Sequence, residues 1–350
     1  MVKLGFSIYM GTGRQKNLEV INRAAKTGMK VAFTSLHIPE ESDMDFLSQT
    51  TDVLNACKNA GIEVMADVGP RTLEKLKLKS IHELKDIGIR YLRIDYGFSI
   101  DEIIRLSKIF NVVFNSSTLL PREIVMFKSA GTDFTKFAAC HNFYPKPKTG
   151  LSLAKVAKIN EHLSGSQITN MAFVPGDGIR RGPLHEGLPT VEEHRVMPVL
   201  EAALQLFTQT STDIVLIGDV DVKDLTWEQL SDLAKGIVRL RVELLPTYRY
   251  LADTVHHDRT DSSKYVIRSV ESRMYASTGK SITAIGTDKI NTGDILISNE
   301  LYKRYSGELE IARCAMDGNP KINVIGRVAE DDLVYLPYIH EGMGFLLEVI

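Results

Sequence analysis

The chain has few cysteines, almost no net charge and no long hydrophobic run. Its three cysteines are odd in number and widely spaced, which argues against a disulfide framework or a zinc module. The formal net charge of -2 at pH 7 gives no overall field that would draw the chain to nucleic acid or to an anionic membrane. No apolar run approaches the roughly 18–20 residues of a membrane span. We therefore expect neither a nucleic-acid nor a membrane partner.

The amino terminus also lacks the pattern of a signal peptide, because it reads directly into a strand-like segment. Together with the cysteine usage, this predicts a reduced, cytoplasmic protein. With 350 residues the chain is long enough for a large core and for two domains. The sequence leaves open whether the chain forms a homo-oligomer.

Short apolar runs alternate with amphipathic stretches, a pattern typical of a parallel sheet with crossover helices. The predicted strands are residues 4–10, 31–36, 63–67, 91–95, 112–115, 134–141, 168–174 and 214–218. Helical patterns follow at residues 18–27, 46–60, 81–87, 100–110, 121–129 and 192–208. Eight strand–helix units within about 245 residues predict a (β/α)8 TIM barrel. An open doubly wound sheet is the alternative.

The pattern changes after a predicted helix at residues 225–244. From residue 258 onward, short alternating segments with turn signals replace the helical patterns. We interpret this part as a separate, β-rich domain, with a linker near residues 254–263. The predicted organisation is a barrel domain at residues 1–250 and a small β domain at residues 255–350.

The loop at residues 174–189 is rich in glycine and proline and carries the adjacent arginines Arg180 and Arg181. Glycine allows the backbone to approach a ligand closely, and proline restricts the loop to few shapes. The two planar guanidinium groups suit phosphate or carboxylate. Asp177, between two glycines, adds an acid. The pattern indicates a loop built around a charged, polar ligand.

Polar residues also follow seven of the eight predicted strands, at the end of a barrel where active sites lie. The set comprises His37, Glu40, Glu41, Asp67, Arg93, Asp95, Asn115, Cys140, His141, Asn142, Asp177 and Asp219. A single acid at a strand end is more often a helix cap or a turn residue than a catalyst. Acids and amides after so many strands indicate an active site instead.

Several chemistries can be compared at this predicted site. Pyridoxal phosphate needs a lysine at the barrel mouth, and the first strand offers none at its end. A metal-dependent aldolase or hydrolase would use clustered histidines and carboxylates, but no His-x-His spacing occurs. Paired-carboxylate chemistry on a sugar has several candidate acids. Cys140 and His141 are neighbours on a strand and point to opposite faces, so we expect Cys140 to pack in the core.

Six segments of the chain resemble, in order, a family of bacterial cytoplasmic proteins that includes the MupG-type 6-phospho-N-acetylmuramidases. The segments are residues 33–40, 92–97, 141–150, 173–178, 181–183 and 187–190. The resemblance covers the whole chain and implies a TIM barrel followed by a small cyclophilin-like β domain. It also implies a glycoside hydrolase that splits N-acetylmuramic acid 6-phosphate–N-acetylglucosamine into its two sugars during peptidoglycan recycling.

That substrate carries a phosphate and a lactyl carboxylate, which suits the cationic residues of the predicted site. We expect the phosphate to lie near residues 176–182, because barrels often build phosphate sites from the loops after strands 7 and 8. The predicted substrate-binding residues are His37, Arg93, Asn115, His141, Asn142, Tyr144, Gly176, Gly178 and Arg181. Tyr9 or Tyr96 would serve as a stacking platform for the sugar.

The catalytic roles are assigned only from the positions of the acids at the ends of the predicted strands. Asp95 and Asp177 are the first candidates, followed by Glu40 and Asp219. One acid would protonate the glycosidic oxygen, and the other would act as nucleophile or stabilise the oxocarbenium-like transition state. The 2-acetamido group of the substrate offers a third route, in which its carbonyl attacks. No cofactor and no metal are assigned. The rival hypotheses are a non-enzymatic sugar-phosphate sensor and a metal-dependent phosphosugar aldolase or isomerase.

Overall fold

The computed structural model describes residues 2–36, 46–68, 72–94, 98–252, 254–276 and 281–350. The chain divides into two compact units, Met1–Ala234 and Lys235–Ile350. Within the described ranges, no helix is both long enough and apolar enough to cross a membrane.

The first unit is a closed barrel of eight parallel strands in the order β1 to β8, which confirms the predicted TIM barrel. The strands are β1 (Lys3–Ile8), β2 (Val31–Ser35), β3 (Glu63–Asp67), β4 (Ile89–Ile94), β5 (Asn111–Asn115), β6 (Phe137–Cys140), β7 (Thr169–Val174) and β8 (Ile214–Ile217). The barrel closes because β1 pairs with both β2 and β8. The doubly wound alternative is therefore wrong.

Nine helices of this unit alternate with the strands in the described part of the chain. They are α1 (Arg14–Thr27), α2 (Phe46–Asn59), α3 (Thr72–Lys75), α4 (Glu83–Asp86), α5 (Ile100–Ser107), α6 (Pro121–Ser129), α7 (Leu153–Ser164), α8 (Val199–Gln209) and α9 (Asp224–Ala234). The helix predicted at residues 192–208 is interrupted by Pro198. A 3-10 turn, Glu192–Val196, precedes this proline, and α8 begins after it.

Alternate residues of the strands fill the barrel interior. One cluster contains Val31 and Phe33 of β2, Cys140 of β6 and Phe173 of β7. Residues two apart on a strand share a face, so the residues between them pack outward against the helices. The buried Cys140 belongs to this interior cluster, as predicted. Phe143, which follows β6, contacts Phe33 and Phe173 edge to face.

The second unit is β-rich, which confirms the predicted change of architecture. Its elements are β9 (Ile237–Leu244), β10 (Val255–His257), β11 (Val266–Arg268), α10 (Val270–Ala276), β12 (Lys289–Ile290), β13 (Asp294–Ser298), β14 (Leu309–Ala312), β15 (Met316–Asp317), β16 (Ile322–Val328) and β17 (Gly344–Val349). Seven strands form one sheet in the order β10-β17-β9-β16-β13-β14-β11, and β12 pairs with β15. A bridge between Asp258 and Ser269 joins the ends of the two edge strands.

The helix predicted at residues 225–244 is wrong in its second half. Helix α9 ends at Ala234, and Gly236 has a positive φ of 79°. Residues 237–244 form β9, in which alternate side chains such as Val238 and Leu240 are buried. A two-residue period of burial is typical of a strand. Because it follows a helical pattern directly, the prediction merged the two into one helix.

Candidate active site

A single carboxylate, Asp219, organises the loop that follows β7. Asp219 lies just beyond the end of β8, and only 1% of its surface is exposed. Its Oδ2 accepts hydrogen bonds from the backbone N–H of Gly176 at 2.8 Å and of Leu188 at 3.1 Å. Its Oδ1 accepts from the N–H of Arg181 at 2.9 Å. The carboxylate therefore fixes both ends and the middle of the loop.

Burial raises the pKa of Asp219, while the three N–H donors and the nearby Arg180 favour the charged form and act against this rise. A raised pKa would suit a general acid. The oxygens of Asp219, however, point into the loop backbone. The contacts therefore favour a positioning role over the catalytic role that we predicted for Asp219.

The glycines of the loop allow backbone to pack on backbone. A Cβ atom at Gly176 would lie 2.6 Å from the carbonyl oxygen of Asp221, and one at Gly178 would lie 2.8 Å from the carbonyl carbon of Val222. The N–H of Gly178 donates to Asp221 at 3.3 Å, and the N–H of Gly176 donates to Asp219. Gly176 and Gly178 were predicted to bind substrate, but their N–H groups donate within the protein itself.

Asp177 connects the same loop to helix α9. Its Oδ1 accepts from the N–H of Lys223 at 2.9 Å, and its Oδ2 accepts from the hydroxyl of Thr226 at 2.8 Å. Such bonds satisfy donors at a helix start, which is the ordinary structural role of an aspartate. The contacts of Asp177 thus favour capping rather than the catalytic role that we predicted.

The two adjacent arginines, both half-buried, carry the positive charge of the loop. The guanidinium carbon of Arg181 lies 4.3 Å from the ring centre of Tyr9, and the hydroxyl of Tyr9 donates to the carbonyl of Gly218 at 2.5 Å. Neither the Arg180 nor the Arg181 guanidinium donates a hydrogen bond to another residue within the described ranges. Their donors are available to an anion. The ring of Tyr9, predicted as a sugar platform, is covered by Arg181.

A second polar group lies where β3, β4 and β6 end. Arg93 forms an ion pair with Asp67, with 3.1 Å between Nη1 and Oδ2, and donates from Nη2 to Oδ1 of Asn142. Its Nε atom is buried without a partner among the described residues. Burial, as the main cause, raises the pKa of the neighbouring Cys140 to about 12, which keeps this thiol protonated. The structure therefore brings together the predicted residues Arg93 and Asn142.

Asn115 ends β5, and Tyr144 lies in the loop that follows the neighbouring strand β6. The Asn115 side chain accepts from the N–H of Ser117 at 3.0 Å and so shapes the turn after β5. Burial raises the pKa of Tyr144, and its hydrogen bond with the Ser117 side chain opposes this. The backbone N–H of Tyr144 donates to Pro189 at 2.9 Å, which ties the loop after β6 to the loop after β7.

His141 faces away from the barrel mouth. It is fully buried, and its Nε2 lies 2.8 Å from Oδ1 of Asn160 on helix α7. Burial, as the main cause, lowers the pKa of His141, so the ring is neutral. Because Cys140 points into the barrel, the next residue must point outward. These contacts argue against the predicted substrate-binding role of His141.

A buried arginine that sequence analysis missed clamps the two loops together. Arg195 is 8% exposed and contacts Glu192 through Nε at 2.7 Å and Nη2 at 2.9 Å. It also donates to the carbonyls of Gly187 at 3.0 Å and Tyr144 at 2.9 Å. Glu192 in turn accepts from the backbone N–H of Gly150 at 2.7 Å. The only signal in the sequence is the i, i+3 spacing of a Glu and an Arg.

The remaining predicted residues, His37, Glu40 and Asp95, lie outside the described residues, as does Tyr96. In the part of the chain that the structure describes, no group of three or more His, Cys, Asp or Glu side chains could hold a metal ion.

Comparison with known proteins matches the whole chain to one family. Residues 4–232 match the model of the 6-phospho-N-acetylmuramidase amino-terminal domain. Residues 238–348 match the model of the carboxy-terminal domain of the same family. No curated protein matches the chain significantly.

Two solved structures resemble the protein over its full length. One is a conserved protein of unknown function from Enterococcus faecalis, with 28% identity, a TM-score of 0.79 and coverage of 99% of this chain and 96% of that one. The other is an uncharacterized B. cereus protein, with 25% identity, a TM-score of 0.77 and coverage of 99% and 100%. Neither description states an activity.

The clamp leads to a stability prediction. We expect Arg195→Lys to lower the free energy of unfolding by about 3 kcal/mol, because lysine cannot satisfy the Glu192 carboxylate and several carbonyls at once. The control is Arg14→Lys, since Arg14 pairs with Asp52 at 2.6 Å but is largely exposed. That variant should lose less than about 1 kcal/mol. Denaturant titration measures both, and equal losses would contradict the clamp.

A pH dependence follows from Glu192. The hydrogen bonds from Arg195, and from the N–H groups of Lys148 and Gly150, lower the pKa of Glu192 to about 2. Because the folded-state pKa is depressed, its stabilisation is complete above the unfolded value of about 4.3 and is lost as the pH falls toward 2. We expect the stability difference between the wild type and Glu192→Gln to narrow between about pH 5 and pH 2, roughly the window set by these two pKa values. A pH-independent difference would contradict this assignment.

Proposed function

Because the chain belongs to the 6-phospho-N-acetylmuramidase family, we propose that it cleaves N-acetylmuramic acid 6-phosphate–N-acetylglucosamine by hydrolysis. The products are N-acetylmuramic acid 6-phosphate and N-acetylglucosamine. The proposed setting is peptidoglycan recycling in the cytoplasm, on a disaccharide that is phosphorylated during uptake.

The observation that best supports this substrate is the pair of arginines after β7. Arg180 and Arg181 present guanidinium groups that donate to no other residue in the described ranges. Phosphate and carboxylate accept two parallel hydrogen bonds from such groups. In barrel enzymes, the loops after strands 7 and 8 are a frequent place for phosphate. A substrate with a 6-phosphate suits this loop better than a neutral sugar does.

The proposed sugar site continues across the barrel mouth to Arg93, Asn142 and Tyr144. Arg93 is held by Asp67 and Asn142, so its position is set before substrate arrives. Asn115 and His37 complete the proposed substrate-binding residues, whereas His141 is withdrawn because it faces α7. A preorganised polar surface of this kind can orient a sugar with little loss of side-chain entropy on binding.

The proposed chemistry needs two carboxyl groups, or one with help from the 2-acetamido group. Asp177 and Asp219 already accept hydrogen bonds from backbone and hydroxyl donors. We therefore assign the acid–base role first to Asp95, which follows β4 in the sequence, and next to Glu40. One acid protonates the glycosidic oxygen, and the other group stabilises the positive charge that develops on the sugar ring. Carboxyl groups about 5–5.5 Å apart would indicate a retaining enzyme, and roughly 6.5–9.5 Å an inverting one.

The substrate assignment is tested with purified protein and two disaccharides, the phosphorylated one and its unphosphorylated form. We expect cleavage of the phosphorylated form alone, both with and without chelator. Mass spectrometry detects the products. No cleavage of either disaccharide, together with a chelator-sensitive conversion of a phosphosugar, would favour the metal-dependent aldolase or isomerase alternative. Tight binding of the phosphorylated sugar without any cleavage would favour a sugar-phosphate sensor.

The catalytic assignment is tested by comparing Asp95→Asn with Asp177→Ala. We expect Asp95→Asn to lower kcat by roughly a hundredfold or more at an unchanged melting temperature, because a proton-transfer group is lost. Asp177→Ala removes the bonds to Lys223 and Thr226, so it should lower the stability by about 1 kcal/mol and affect kcat far less. If Asp177→Ala abolishes turnover without destabilising the protein, the two roles are exchanged.

A further inference from the structure

We propose that Asp219 and Tyr9 are positioning residues that hold Arg181 in place as the specificity-determining cation for a phosphomonoester. The identity of the sugar rests on the proposed function, and the rest of the inference on the contacts and the position of Arg181.

The backbone of Arg181 is fixed by Asp219. The same carboxylate accepts from Arg181, Gly176 and Leu188 at 2.8–3.1 Å, so three points of one loop converge on one buried group. Asp219 itself follows β8, and the N–H of Gly218 beside it donates to Val174 at the end of β7 at 2.8 Å. The loop is thus anchored to the ends of the adjacent strands β7 and β8.

The side chain of Arg181 is fixed by Tyr9. The guanidinium carbon lies 4.3 Å above the ring, within the range of a cation–π contact. Tyr9 is almost fully buried, packs with Leu188 and Val220, and donates its hydroxyl hydrogen to Gly218. The ring therefore has a fixed orientation, and it is anchored at the residue next to Asp219. Backbone and side chain of Arg181 are held by one connected unit.

This arrangement separates the charges in a way that suits an anion. The negative charge of Asp219 faces the loop N–H groups, so it is compensated where it lies. The guanidinium carbon of Arg181 lies over the ring of Tyr9, and the guanidinium donates to no other residue in the described ranges, which leaves its N–H donors for a ligand. An arginine that is already ordered loses less side-chain entropy when it binds. Arg180, by contrast, has no comparable aromatic contact within the described ranges.

Arg181 is assigned to the phosphate of the substrate rather than to its lactyl carboxylate. Both anions suit a guanidinium, so the chemistry of Arg181 alone does not choose between them. The choice follows from place, since Arg181 lies on the loop after β7 and is tied to the residue that follows β8. Loops at these two positions build phosphate sites in many barrels.

The test measures binding of three sugars by isothermal titration calorimetry. N-acetylmuramic acid 6-phosphate carries both anions, N-acetylglucosamine 6-phosphate carries the phosphate only, and N-acetylmuramic acid carries the carboxylate only. The variants are Arg181→Gln, Asp219→Asn and Tyr9→Phe. The matched control is Asp213→Asn, because Asp213 also accepts a backbone N–H, from Asn170 at 2.7 Å, but precedes β8 at the opposite end of the barrel.

We expect Arg181→Gln to weaken the binding of both phosphorylated sugars by roughly 10- to 100-fold, as for a lost charge-assisted hydrogen bond. Asp219→Asn should weaken it by about tenfold, because it removes the charge that accepts the backbone N–H of Arg181. Tyr9→Phe keeps the ring but frees it from Gly218, so it should weaken binding by a few-fold. Asp213→Asn should bind like the wild type. In turnover, Asp219→Asn should raise KM and change kcat little, which separates positioning from acid–base catalysis.

Several outcomes would overturn the inference. The inference fails if the wild type binds neither phosphorylated sugar, or if Arg181→Gln loses affinity only for N-acetylmuramic acid. It also fails if Asp219→Asn folds and binds the phosphorylated sugars like the wild type. If Asp219→Asn does not fold, Tyr9→Phe decides, and unchanged affinity there overturns it. Phosphate binding that depends on Arg181, without cleavage of the disaccharide, would support the inference while the proposed function fails. If the protein cleaves the disaccharide but Arg181→Gln leaves KM and affinity for the phosphorylated sugars unchanged, the proposed function holds and the inference fails.

Discussion

A buried charge must be compensated where it lies, and this constraint shapes the loops at the barrel mouth. Asp219 is almost entirely removed from water, and an uncompensated carboxylate there would be strongly destabilising. Compensation comes from three backbone N–H groups of a single loop. That loop can supply them only by wrapping around the carboxylate. Its shape is therefore a consequence of the charge, and the close glycine contacts at Gly176 and Gly178 are what the wrapping requires.

Arg195 imposes the complementary constraint. Its buried guanidinium needs acceptors, and it takes them from Glu192 and from the carbonyls of both loops at the mouth. The buried anion Asp219 thus accepts hydrogen bonds from N–H groups, and the buried cation Arg195 donates to carbonyls. At these points the backbone of the loops is hydrogen-bonded although it forms no regular secondary structure. Deep burial also makes each clamp sensitive to substitution, because removal of one partner leaves the other uncompensated.

The sequence was sufficient to predict the barrel because eight apolar runs, each buried on both faces, leave a clear pattern. It also indicated the β-rich second unit. It failed at residues 237–244, where a strand follows a helix directly and its two-residue period was merged with the helical pattern. The site was harder. Sequence shows that Asp177, Asp219 and His141 follow strands, but not that their polar atoms face α9, the loop backbone and α7. Orientation depends on tertiary contacts that no local spacing encodes.

The distribution of acids around the barrel bears on how the proposed reaction could work. After β7 and β8, Asp177 and Asp219 are occupied by hydrogen bonds within the protein itself. The candidates for proton transfer, Asp95 and Glu40, follow β4 and β2 instead. In a closed barrel of eight strands, β4 lies across the mouth from β8. In the phosphorylated sugar, C1 with the glycosidic bond and C5 with the phosphate-bearing C6 both adjoin the ring oxygen. On the proposed function, phosphate captured after β7 and β8 and an acid after β4 would hold the sugar between them.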